Sequence, residues 1–194
     1  VGWTIMTFEP KFMATGVGSM PHTSARRACE IVLENIPEAP FWPQLPQRSF
    51  LEGMWVQFSE GLPGLVIVQD EKRTYLDTGN AYPQEVEKFY ALLERDDPEA
   101  FPVSPEFAQG LHTMKAMLEN STPATIQLIK GQVTGPISLG MVLTYPDRRS
   151  LLYDPSGADM VVNLLRAKGR WLEKYLQKAL PGEPTMIFYD EPYL

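Results

Sequence analysis

The sequence predicts an α/β protein with parallel strands. Short apolar runs alternate with amphipathic stretches of helical period, and polar or glycine- and proline-rich clusters follow the apolar runs. A helix placed between two strands of one sheet makes them parallel, and parallel sheets gather their ligand sites at strand carboxyl ends.

In chain order, Phe12 to Thr15 reads as a first strand that stops at Gly16 to Pro21. Ser24 can cap a helix carrying Ala28, Ile31, Val32 and Ile36. Ala39 to Trp42 reads as a second strand, followed by a loop through Arg48. Phe50, Met54, Phe58 and Leu62 then keep a spacing of four, which a helix turns into one face. Leu65 to Gln69 and Arg73 to Asp77 flank Asp70-Glu71-Lys72 as a β-hairpin, an excursion from the parallel pattern. Pro83 suits a helix start before Val86, Phe89, Tyr90 and Leu93. Ser104-Pro105 gives the same signal before Phe107, Leu111, Met114 and Leu118. Ala124 to Ile129 reads as a third strand, Gly131 to Pro136 as its loop, and Ile137 to Leu143 as a helix start. Asp154-Pro155 opens the longest helical pattern, weakened at Gly169. Thr185 to Tyr189 is the fourth strand and delivers Asp190-Glu191-Pro192. A terminal strand leaves an edge open to further pairing, so the chain reads as unfinished.

Composition narrows the function classes. The chain has 194 residues, 44% hydrophobic, with 17 basic and 24 acidic residues for a net charge of −7. The absence of a basic cluster speaks against nucleic acid as a partner. No run reaches the roughly 20 apolar residues of a membrane span, and the start lacks a signal-peptide pattern. The single cysteine, Cys29, excludes an internal disulfide and any zinc site drawing two cysteines from this chain, which favours a cytoplasmic setting. The 18 prolines lie between periodic segments and read as loop punctuation.

The candidate chemistry sits in the strand-end loops. Gly16-Val17-Gly18 lacks the third glycine of a dinucleotide loop, because Pro21 stands there. Ser19 either presents its hydroxyl and nearby N–H groups to a carboxylate or belongs to a plain turn. His22 is placed for proton transfer at near-neutral pH. His112 and Cys29 read as structural. Trp42, Gln44 and Arg48 form either a wall with a planar cation for a substrate carboxylate or a proline-rich connection with a surface arginine. Asp190 and Glu191 would be costly to desolvate without a ligand or a cation. Adjacent strand residues face opposite ways, so one of the two enters a site and the other supports it or pairs with an arginine such as Arg48.

Three segments in order resemble the catalytic domain of cobalamin-independent methionine synthase and the superfamily it shares with uroporphyrinogen decarboxylase. They are Gly18-Ser19-Met20-Pro21-His22-Thr23, Gly131 to Ile137 with Thr134-Gly135-Pro136 inside it, and Tyr189-Asp190-Glu191-Pro192-Tyr193-Leu194. The resemblance covers residues 12–194. It implies a (β/α)8 TIM barrel, of which residues 1–194 hold the first four β/α units plus the hairpin, the remaining strands lying outside this chain. It implies a methyltransferase that passes a methyl group from a folate or corrinoid donor to a thiol such as homocysteine. In the family the residues matching Ser19 and Asp190 hold the amino-acid substrate. With His22 they join Trp42, Gln44, Arg48, Glu52, Gln132, Thr134 and Glu191 as the expected site. Zinc would ionise the thiol in the complete protein, its ligands following the aspartate segment and so absent here. Two departures stand out: Gln47-Arg48 replaces the family's Gly-Glu pair, with Glu52 a helical turn later, and His22 replaces a glutamine. The alternatives are a decarboxylase-like lyase using Arg48 or His22 on substrate carboxylates, and a non-catalytic half-barrel that associates with a missing half or a second copy.

Overall fold

The computed structural model describes residues 9–10 and 12–194. Among them are six α-helices and two sheets of two strands each. Helix α1 spans Ala25–Asn35, with the Ser24 side chain accepting the Arg27 N–H as its cap. A 3-10 turn at Phe50–Glu52 is separated from the short α2, Met54–Gln57, by Gly53 in an extended conformation. Strands β1 (Leu65–Val68) and β2 (Arg73–Leu76) form an antiparallel hairpin. Helices α3 (Tyr82–Glu94) and α4 (Gln109–Asn120) follow. Strand β3 is Ile129–Thr134, α5 is Pro136–Val142, α6 is Pro155–Ala179 and β4 is Thr185–Asp190. No helix among the described residues is long and apolar enough to cross a membrane.

The partial (β/α)8 barrel is overturned: among the described residues β3 and β4 are the only strands that pair in parallel, other parallel contacts being isolated bridges, and no barrel units are present. The two expected strands upstream do not form. Residues 13–18 have no regular structure, and the Thr15 hydroxyl bonds Ala39 O across the gap where a backbone ladder would run. Residues 38–44 do lie beside β3, but Pro40 and Pro43 have no N–H to give. Pairing there shrinks to Gln127 and Leu128 N–H on Glu38 O, Lys130 N–H on Pro40 O, an isolated Phe41–Lys130 bridge, and a second bridge from Ser19 to Gln44.

Several boundaries also move. The helix expected across Phe50 to Leu62 breaks into a 3-10 turn and one α-turn. Residues 105–107 form a turn, so α4 begins later than Ser104-Pro105 signals. The third strand lies further along than expected, and Gly131 to Thr134 are strand residues. That strand is buried along its whole length, so its polar members do not mark a loop.

Helix α6 organises the core. Its cap is Asp154, which accepts the Gly157 N–H. The helix buries Met160, Val161, Leu164, Leu165, Trp171, Leu172 and Leu176. Leu172 and Leu176 press on Gly131, where a Cβ would fall 2.9 and 3.0 Å from their methyl carbons and 2.8 Å from that of Ile187, so a side chain there would make these three side chains repack. Leu111, Met114 and Leu118 of α4 and Cys29 and Val32 of α1 close the other side of the core. The hairpin docks through Leu76 N–H on Thr144 O at 2.9 Å.

Candidate functional site

The alternation of β3 sorts its side chains into two sets. Ile129, Gly131 and Val133 take the apolar side, whereas Lys130, Gln132 and Thr134 share the other and are all buried. Register places Met186, Phe188 and Asp190 of β4 opposite these three. The sheet thus presents a polar floor that ends in the Thr134–Asp190 pair.

Each floor residue is held by a neighbouring segment. Thr134 Oγ1 donates to Met54 O at 2.7 Å. Gln132 Nε2 donates to Trp42 O at 3.0 Å, which takes a carbonyl that a regular strand pair would have used. Lys130 Nζ donates to Val17 O and to Gln132 Oε1, and lies 4.9 Å from the centre of the Phe188 ring.

Residues 18–20 run beside Gln44, with Gln44 N–H on Gly18 O and Met20 N–H on Gln44 O, both at 2.9 Å. Gly18 has φ +152°, and a Cβ there would fall 2.4 Å from Gln132 Nε2 and 2.7 Å from Gln44 Oε1. The backbone therefore comes close enough to the two glutamines to place the exposed Ser19 at the edge of the floor. Gln44 Nε2 in turn donates to Gln57 Oε1 at 2.7 Å.

The electrostatics combine one cation and one carboxylate. Burial pushes the Lys130 ammonium down to about 8, with Asp190 opposing the shift. Burial likewise pushes Asp190 up, with Lys130 opposing. Each charge partly compensates the other, and a ligand bearing both signs would complement the pair.

The remaining expected residues fall in separate places. Arg48 pairs with Glu52, not with Asp190 or Glu191. Glu52 is wholly buried and burial raises its pKa, opposed by Arg48 and by the Gln109 and Gly110 amides, yet Oε2 has no hydrogen-bond partner of full geometry. Trp42 is fully buried, and neither its Nε1 nor His22 Nδ1 has a hydrogen-bond partner among the described residues. No hydrogen bond ties His22 to the floor. Glu191 turns away from it: Oε1 accepts Ile137 N–H at 2.9 Å and Oε2 accepts Ser138 N–H at 2.8 Å.

The structure therefore gathers Ser19, Trp42, Gln44, Gln132, Thr134 and Asp190, and leaves His22, the Arg48–Glu52 pair and Glu191 outside that network. Lys130 and Gln57 belong to it and were not anticipated. The pattern Lys130-x-Gln132-x-Thr134 carried the signal, because period two among polar residues inside an apolar stretch marks one face of a strand.

Comparison with family models, with curated proteins and with solved structures finds no match for this chain.

Among the described residues, no group of three or more His, Cys, Asp and Glu side chains is placed to hold a metal ion. Cys29 is buried, with Sγ 3.5 Å from Gly110 O and its thiol pushed up to about 12. The resemblance places its zinc ligands after the aspartate segment and not among these residues, and no chemical step is assigned to a metal.

Proposed function

We propose that the polar floor binds a small thiol-bearing amino acid, such as homocysteine, for methylation of its sulfur by a folate or corrinoid methyl donor. The observation that carries this reading is the placement of Lys130 and Asp190 on one face of the β3–β4 sheet, where each is partly desolvated. An α-amino acid offers a carboxylate and an ammonium close together. Lys130 would take the carboxylate and Asp190 the ammonium, each in a charge-assisted hydrogen bond. The Ser19 hydroxyl adds a donor at the edge, and Gln132 and Gln44 hold the surrounding backbone. The resemblance of the Ser19 and Asp190 segments to the methionine synthase family supports the choice of a thiol acceptor.

In the transfer, the sulfur forms a new bond to the methyl carbon as the donor's bond to that carbon breaks, and the thiol proton passes to solvent. The chain's own part is to bind and orient the acceptor.

Isothermal titration with L-homocysteine, 4-mercaptobutyrate and 3-mercaptopropylamine tests the recognition step. The amino acid should bind about tenfold or more tightly than either analogue, since each lacks one charged contact. Equal affinity for all three sinks the recognition step. Formation of methionine from homocysteine with methylcobalamin or methyltetrahydrofolate, followed by mass spectrometry with and without added zinc, tests the transfer.

A further inference from the structure

We propose a second ligand site, separate from the polar floor, in the cavity where the hairpin meets the end of α5, and assign it to a small planar aromatic anion. The cavity encloses about 270 Å³. That is just below the roughly 300–1,000 Å³ usual for drug-sized ligands, so the occupant is small, of one or two rings. Its walls come from four parts of the chain: Phe50 of the 3-10 turn, Trp55 of α2, β2 with Lys72 before it, and the end of α5 with Leu143 and Thr144. They are pinned to one another, because Leu76 N–H bonds Thr144 O and Tyr75 bridges to Thr144.

Three features choose the ligand chemistry. The apolar part is flat and aromatic, with Phe50 and Trp55 both half-buried, and Trp55 held by stacking on Tyr193 at 5.5 Å and 7°. At the rim stand two adjacent cations, Lys72 and Arg73. Among the described residues neither is paired with a carboxylate, although the chain as a whole carries net charge −7. The Arg73 guanidinium lies over the Tyr75 ring, 4.5 Å from its centre. The third feature is Thr74, whose Oγ1 is buried without a hydrogen-bond partner among the described residues although the residue lines the cavity. An orphaned buried hydroxyl costs free energy that a polar ligand atom would recover. A ring against Trp55, an anionic group on Lys72 and Arg73 and an acceptor for Thr74 satisfy all three at once.

The probe is 2-naphthoate, titrated against the intact chain by ligand-observed NMR, with 2-naphthalenemethanol as the neutral match and 2-naphthyl phosphate as the alternative anion. Naphthoate or the phosphate should bind at least about tenfold more tightly than the alcohol, and the stronger of the two identifies the anionic group. The K72Q/R73Q double variant should abolish that preference while keeping the parent melting temperature, because both side chains are exposed. T74V should weaken anion and alcohol alike. Equal binding of acid and alcohol, no saturable binding at millimolar probe, or an unchanged preference in folded K72Q/R73Q would each overturn the assignment. None of these variants touches Lys130 or Asp190, so failure here leaves the proposed amino-acid site standing, and the reverse.

Discussion

Glu191 and Ser138 are joined end to end: the Glu191 carboxylate accepts the Ser138 backbone N–H at 2.8 Å, and the Ser138 hydroxyl accepts the Tyr193 N–H at 3.3 Å. With Ile137 N–H on the other carboxylate oxygen, the side chain satisfies two amides at the start of α5 that have no partner within the helix. Glu191→Ala should therefore lower stability by about 2 kcal/mol, as charge-assisted hydrogen bonds do when removed. Glu191→Gln should recover part of it. Urea titration checks both. A neutral E191A would mean that water replaces the carboxylate.

Asp190, one residue earlier, has a different role. Asp190→Asn should weaken 3-mercaptopropylamine binding about tenfold or more and leave 4-mercaptobutyrate unaffected, whereas Lys130→Gln should do the reverse, spoiling affinity for the carboxylate only. Calorimetry on the two variants with both ligands reads the crossed pattern directly. Parallel losses on both ligands would point to a damaged fold.

Lys168 is fully buried on α6, with Nζ donating to Pro102 O at 2.7 Å and the Glu60 carboxylate 3.9 Å away as a looser ion pair. Burial pushes its ammonium down to about 8 from 10.5. Between these values the unfolded chain binds more protons than the folded one, so this group makes stability rise with pH from about 8 to 10.5. Below pH 8 both states are charged and the cost is fully present. Lys168→Met should thus be stabilising at pH 7 by about 1–3 kcal/mol, less what the lost contacts supplied, with the advantage fading above pH 8. Denaturant midpoints measured from pH 6 to 10 give the comparison.

Cys29 should resist thiol reagents in the native state, because its thiol is buried and pushed up to about 12. Labelling by a disulfide reagent should proceed at the rate of unfolding and accelerate with denaturant. Rapid labelling of the native protein would contradict its burial.

Local signals carried much of the fold. The caps at Ser24 and Asp154, the prolines at the starts of α3 and α6 and the period of α6 are interactions within one turn of helix, so sequence spacing exposes them. The hairpin was equally legible from its two flanking runs. What failed depended on partners distant in sequence. Nothing near Phe12 to Thr15 reveals that a hydroxyl will replace a ladder bond, and Pro40 and Pro43 limit pairing only because β3 lies beside them. Gly131 misled because its meaning is close contact with Leu172 and Leu176, which reads locally as a turn. The same displacement hid Lys130 and let Gln132 and Thr134 pass as loop residues. Glu191 was seen as a desolvated carboxylate in need of a partner, but that partner is a pair of backbone amides, which leave no trace in composition.

The parallel pairing of β3 with β4 also bears on how the molecule reaches its native state. Ile137 and Glu191, which meet at the end of this pair, lie 54 residues apart in sequence, with α5 and the whole of α6 between them. Closing so long a segment brings no reward until its ends meet, and topologies rich in such contacts fold slowly. Helix α6 can form locally, but the polar floor exists only after β4 has found its register. Ligand-binding competence should then trail helix formation in a refolding experiment, since the chain becomes helical before it has a site.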